Sequence, residues 1–158
     1  MDTQKEKWMQ EAIELAVQNV TSGLGGPFGA IVVKDGKVIG RGSNNVTLHN
    51  DPTAHAEVQA IREACKHLGS FQLTGSVIYT SCEPCPMCIG AIYWARPDAV
   101  YYACTKEDAA AIGFDDQFIY EQLAMPMEGR SLLMKPLKPD AYKRPFEQWA
   151  ASEIKKEY

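Results

Sequence analysis

Apolar side chains recur at Trp8, Met9, Ala12, Ile13, Ala16, Val17 and Val20, the three- and four-residue steps of an amphipathic helix. Thr3 and Glu6 have capping-box spacing, and Gly23 stands where that helix would stop. After the loop Gly25-Gly26-Pro27, Phe28 to Val33 reads as a buried strand. Asp35-Gly36 between two lysines predicts a two-residue hairpin that pairs Lys37 to Gly42 back on it. A polar loop runs from Ser43 to Asn50, and Asp51-Pro52 has the form of an N-cap followed by a first-turn proline. Ala54, Val58, Ile61, Cys65 and Leu68 give the second helix its apolar face, ended by Gly69. Ser76 to Ser81 is rich in β-formers, Pro86 opens a third helix, and Arg96-Pro97 closes it. Ala99 to Cys104 is continuously apolar, as expected of a strand covered on both faces. Helical segments are predicted over Lys106 to Ile112 and Asp116 to Leu123. A short last strand is predicted over Ser131 to Met134, then a final helix and tail over Pro145 to Tyr158.

A hairpin followed by alternating helix and strand predicts an α/β domain in three layers, with helices on both faces of the sheet. The hairpin is antiparallel and the later crossovers favour parallel pairing, so the sheet is expected to be mixed, with roughly five strands. The 158 residues, with no repeat or internal linker, fit a single domain spanning 1–158. A 46% hydrophobic fraction excludes a disordered or low-complexity chain.

Charge narrows the partners. The net charge of −4 and the absence of a basic run argue against a nucleic-acid binder. The longest apolar run, Ala99 to Cys104, falls far short of the roughly 20 residues of a membrane span. The start, Met1-Asp2-Thr3-Gln4-Lys5-Glu6, lacks the apolar core of a signal peptide. Clustered cysteines without an export signal point to metal or catalysis rather than disulfides. A cytoplasmic enzyme is expected.

The chemistry concentrates in His55-Ala56-Glu57 and Pro84-Cys85-Pro86-Met87-Cys88, each at a predicted helix start. Cys85 and Cys88, at i and i+3, put their sulfurs on one side of the helix. The helix N-terminus favours the thiolate, the form that binds metal. A histidine at a second helix start reaches past its end and adds one nitrogen. Two thiolates and an imidazole suit tetrahedral zinc and leave the fourth position for water, the ligand count of a catalytic site. Glu57 is placed to take a proton from that water and to return it to a leaving amine. This pairing of H-x-E with P-C-x-x-C is the signature of zinc nucleobase deaminases.

Other readings use fewer of these residues. A thioredoxin-type redox pair at Cys85 and Cys88 leaves His55 and Glu57 without a role. An iron–sulfur reading of Cys82, Cys85 and Cys88 lacks a fourth cysteine at Ile92. A closed structural zinc would recruit Cys82 as well, although a small buried residue at a strand end is the preferred reading of Cys82. Cys65 and Cys104 are assigned to the core, and His49 and His67 to the surface.

Across nearly its whole length the chain resembles the bacterial guanine deaminases, which have a cytidine-deaminase-like fold. The resemblance runs from Gly25-Gly26-Pro27-Phe28-Gly29-Ala30 through Asn44-Asn45, Asp51 to Glu57, Ser81 to Cys88, Gly90 to Pro97 and Gly113-Phe114-Asp115-Asp116. It ends at Lys155-Lys156-Glu157-Tyr158. The zinc motif identifies only the superfamily, whereas the Trp94 segment, the paired aspartates and the final Lys-Lys-Glu-Tyr point to guanine.

The resemblance implies that His55, Cys85 and Cys88 bind zinc and that Glu57 is the proton shuttle. Zinc-activated water would attack C2 of guanine, giving xanthine and ammonia. It further implies that Asp116 engages the 2-amino group, and that Asn44 and the Ala56 backbone hydrogen-bond the purine. Phe28 and Trp94 would contact its faces. Phe28 and Trp94 also read as simple core residues, and Asp115 or Asp116 as a helix cap. A homodimer with exchanged C-terminal segments is also implied, Tyr158 of one chain closing the other's pocket. Guanosine deamination, tRNA adenosine deamination and a non-catalytic zinc-stabilised binding module are the competing functions.

Overall fold

Strand β1 (Gly29–Lys34) is apolar from Gly29 to Val33 because both its faces are covered in the computed structural model, which describes residues 3–158. Ala30 and Val32 point to one side, into a core shared with Ala56, Ala60 and Ala64 of α3 (Ala56–Leu68) and Ile92 and Ala95 of α4 (Pro86–Ala95). Ile31 and Val33 point to the other, where Trp8, Met9 and Ala12 of α1 (Thr3–Thr21) pack with Tyr79. This is the expected three-layer α/β arrangement.

The sheet has four strands in the order β2-β1-β3-β4, with β2 at Lys37–Ser43, β3 at Ser76–Cys82 and β4 at Ala99–Cys104. β1 is antiparallel to β2 and β3, and β3 is parallel to β4, so the sheet is mixed as predicted. The hairpin turns through Asp35 (φ 50°) and Gly36 (φ 69°), both left-handed, as a type I′ turn requires.

Several boundaries depart from expectation. The fifth strand, over Ser131 to Met134, does not form. Leu132 and Leu133 are exposed there, and Pro136 and Pro139 remove ladder donors close by. Asp51 does not cap the second helix. Its Oδ1 accepts from Thr53 N (2.8 Å) and Thr53 Oγ1 (2.7 Å), a local turn that delays the helix until Ala56. The polar loop before it holds a short helix, α2 (Val46–His49). Thr3 is already helical, so the cap of α1 lies outside the described residues. β4 is an edge strand, and its Tyr101, Tyr102 and Cys104 are exposed rather than covered on both faces. Cys104 is therefore not a core residue.

α3 lies almost in contact with the backbone of β2, and glycine makes that possible. A Cβ on Gly40 would stand 2.4 Å from Ala60 O, and one on Gly42 only 2.0 Å from Ala56 O. Bare strand beneath small helix residues brings the start of α3 down onto the sheet edge.

The helices α5 (Lys106–Ala111) and α6 (Gln117–Ala124) follow β4, and α7 is at Arg144–Ala151. Residues up to Gln117 make one compact unit, and Phe118–Tyr158 makes a second. No helix among the described residues is long and apolar enough to cross a membrane.

Candidate metal centre

His55 and Cys85 are the N-cap residues of α3 and α4, both with extended backbone (ψ 156° and 170°) and neither using its side chain to cap. Their side chains are thereby free to extend beyond the helix ends. Pro86 at the first position of α4 needs no hydrogen-bond acceptor for itself, and Cys88 follows in the same turn. β3 delivers the Cys85 loop from the sheet, while Gly42 sets the height of the first turn of α3.

His55 Nδ1 lies 3.5 Å from Cys85 Sγ and 3.5 Å from Cys88 Sγ. Ligands at Zn–S of about 2.3 Å and Zn–N of about 2.0–2.1 Å, at tetrahedral angles, would be separated by about 3.5 Å. The observed spacing is thus that of two donors around one zinc ion. His55, Cys85 and Cys88 form the one such group among the described residues, their ligand atoms all within 4.8 Å of one another. Cys82 stands outside it. Its Sγ donates to Thr105 O at 3.6 Å, and burial pushes its thiol up to about 12.

The electrostatics separate the two cysteines. Its hydrogen bond with Cys88, helped by His55, holds the Cys85 thiol down to about 4. Cys88, whose Sγ donates to Glu57 Oε2, is pushed up by its contact with Cys85 and by burial. His55 is raised by its hydrogen bond to Cys85. Glu57 is buried, with Oε2 3.3 Å from Cys88 Sγ and Oε1 accepting from Thr80 Oγ1 at 3.2 Å. Burial raises its carboxyl above the usual carboxylate range.

The purine-binding candidates divide. Asn44 is buried, and its N–H donates to Phe28 O at 3.2 Å. The next residue, Asn45, donates to Ala54 O at 2.9 Å, joining this loop to the segment that carries His55. Ala56, fully buried, is the first residue of α3, where backbone N–H groups lack intrahelical partners. Phe28 meets Phe114 edge to face, with centroids 5.0 Å apart at 89°. Asp116 is raised, first by burial and to a smaller extent by the charge of Cys85. Asp115 instead accepts from Gln117 N at 2.9 Å, the helix-capping role open to either aspartate. Trp94 is not core: it is 62% exposed on α4, with the Arg96 guanidinium 6.0 Å from its ring. Tyr158 lies in the second unit and is exposed.

Two residues of this constellation escaped the sequence reading. Thr80 looked like any β-former. Asn19 hid in the apolar stripe of α1, where its Nδ2 donates to Gly26 O (2.8 Å) and Asn44 O (2.9 Å). A polar residue on a buried face was the available signal.

A mixed α/β sheet with two helix starts converging on His, Cys and Cys, and a buried glutamate against them, defines a zinc deaminase. The pattern of the cytidine and deoxycytidylate deaminase zinc-binding region matches residues 2–104, and the chain belongs to this family. The guanine deaminase of Bacillus subtilis is 54% identical over 97% of this chain and 98% of its own length, and its crystal structure superposes with a TM-score of 0.95. A guanine deaminase from Nitrosomonas europaea is 34% identical, with a TM-score of 0.66 over 69% of this chain and 63% of that one. The tRNA-specific adenosine deaminase of Haemophilus influenzae is 39% identical over 70% of this chain and 67% of its own.

Proposed function

We propose that this protein is a zinc-dependent aminohydrolase that converts guanine and water to xanthine and ammonia. The observation that carries the proposal is the buried Glu57 carboxylate, 3.3 Å from one sulfur of a His-Cys-Cys cluster with zinc spacing. His55, Cys85 and Cys88 would hold the metal, which supplies Lewis acidity that lets water lose a proton near neutral pH. Glu57 takes that proton as the water oxygen bonds to C2 of guanine. It then delivers the proton to the 2-amino nitrogen as the C2–N bond breaks.

Asp116 engages the 2-amino group. Asn44 and the Ala56 N–H hydrogen-bond the purine edge, and Phe28 and Trp94 take its faces. The resemblance to guanine deaminases over almost the full chain favours guanine over the tRNA substrates of the shorter matches. Five cysteines without a disulfide suit the reducing cytoplasm.

The same reading extends to assembly: a homodimer in which the C-terminal segments are exchanged and Tyr158 of one protomer closes its partner's pocket. The segment that forms its own unit supports this, since it exposes Leu132, Leu137, Phe146 and Ile154. The exposed aromatic surface of Tyr93 and Trp94 supports it too.

Ammonia release from guanine, guanosine and adenine tests the function. Guanine should turn over, with adenine slower by about 10⁴-fold, because adenine carries no amine at C2 and would mispair the buried polar groups. Faster turnover of guanosine than of guanine would replace this reading with a nucleoside deaminase.

A further inference from the structure

β3 runs through the interior of the sheet, and its Ile78 and Thr80 face the same side under the alternation of a strand. Ile78 joins the core beneath α3 and α4. Thr80, only 1% exposed, brings a hydroxyl to the same buried layer. Valine would fill that space and suit the strand as well, so packing and propensity do not call for the oxygen. The hydroxyl has one proton to give, and Cys82 O at 3.0 Å is one acceptor in its reach, a neutral carbonyl that competes weakly with a carboxylate. Oγ1 also stands 3.2 Å from Glu57 Oε1, across 23 residues of chain.

That contact divides the labour of the carboxylate. Oε1 is tied to the sheet, and Oε2, 3.3 Å from Cys88 Sγ, is turned to the metal cluster. A carboxylate's terminal torsion is broad and roughly two-fold, so an untied glutamate exchanges its oxygens and its angle freely. Threonine is stiff at χ1, which makes its hydroxyl a fixed anchor. We propose that Thr80 is a positioning residue for the deamination: it holds Glu57 through Oε1 so that Oε2 alone carries the proton from the attacking water to the leaving amine. The inference rests on the reading of Glu57 as the shuttle. Thr80 itself touches neither metal ligand nor substrate in this role.

Two pairs of variants isolate the hydroxyl. Thr80→Val is isosteric, and Thr80→Ser against Thr80→Ala differs by the hydroxyl alone, which keeps the test valid if the valine variant fails to fold. Zinc content and thermal midpoint are measured beside steady-state kinetics on guanine. Thr80→Val should retain zinc and lose kcat by about 10- to 100-fold, the range for losing a hydrogen bond to a charged, precisely placed group. KM should move by less than about threefold, since the substrate contacts remain. Thr80→Ser should exceed Thr80→Ala by a similar factor in kcat, whatever the two variants do to stability. Crystals of Thr80→Val should show the Glu57 carboxylate in more than one orientation. Wild-type kcat in Thr80→Val, equal kcat in the serine and alanine variants, or an unchanged single carboxylate orientation would each overturn the assignment. Wild-type protein inert on guanine would instead overturn the function on which it rests.

Discussion

Replacing Gly42 by alanine perturbs the site from beneath without altering any residue that holds the metal. The new Cβ would lie 2.0 Å from Ala56 O and 2.5 Å from Ala60 N, and real Cβ atoms essentially never come within 3.0 Å of such atoms. The first turn of α3 must therefore retreat from β2 by about 1 Å, carrying His55 and Glu57 with it. Zinc–ligand distances tolerate only about 0.2 Å, so a shift of that size breaks the spacing of His55 against Cys85 and Cys88. Gly42→Ala should lose most of its zinc, and the fraction that stays loaded should have a kcat about 100-fold lower. Overpacking itself should cost roughly 1–3 kcal/mol of stability. Gly40→Ala is the matched control. Its Cβ would meet Ala60 O at 2.4 Å, the same kind of clash one turn further from His55. It should cost similar stability while keeping zinc and most activity. Zinc by elemental analysis, unfolding midpoint and ammonia release decide the matter together. A Gly42→Ala protein with one zinc per chain and kcat within threefold of wild type would refute the reasoning. Equal zinc loss in both variants would show that the damage is general.

Asn19→Leu removes the amide that bridges Gly26 O and Asn44 O, and should cost about 1–3 kcal/mol and raise KM for guanine as the Phe28 and Asn44 segments loosen, read by melting and kinetics. Cys82→Ala should retain zinc and Cys85→Ala should lose it, because only Cys85 belongs to the cluster; equal loss in metal analysis would favour a closed four-ligand site. Co-refolding Glu57→Gln with a chain truncated before Tyr158 should restore activity to about a quarter of all sites, because random pairing gives heterodimers in which one intact zinc site receives one intact tail. Demonstrated heterodimers without recovered ammonia release would exclude segment exchange.

How far these features could be read in advance depended on the range of the forces behind them. The stripe from Trp8 to Val20, the Asp35-Gly36 turn and the Pro86 to Arg96 helix are set by local periodicity and turn chemistry, and all three appear where they were expected. The His55 and Cys85 spacing was legible because a metal site needs few donor types in short motifs. Asp51-Pro52 misled because an aspartate side chain serves a turn as readily as a helix cap, and Thr53 supplied the turn. The apolar run Ala99 to Cys104 resembled a central strand, although its position at the sheet edge leaves its tyrosines exposed. An edge is a property of the assembled sheet, not of one strand's composition. Thr80 and Asn19 act on partners 23 and 25 residues away, beyond any local pattern.

An open three-ligand metal site here works through one buried carboxylate. Glu57→Gln tests it most directly, since glutamine keeps the size of the side chain and removes its proton-accepting charge. Zinc content and the rate of ammonia release from guanine should be measured on the same preparation. The variant should hold one zinc per chain with kcat lower by at least about 10²-fold, since Glu57 serves two successive proton transfers. A zinc-loaded Glu57→Gln protein that releases ammonia within a few-fold of the wild-type rate would contradict it.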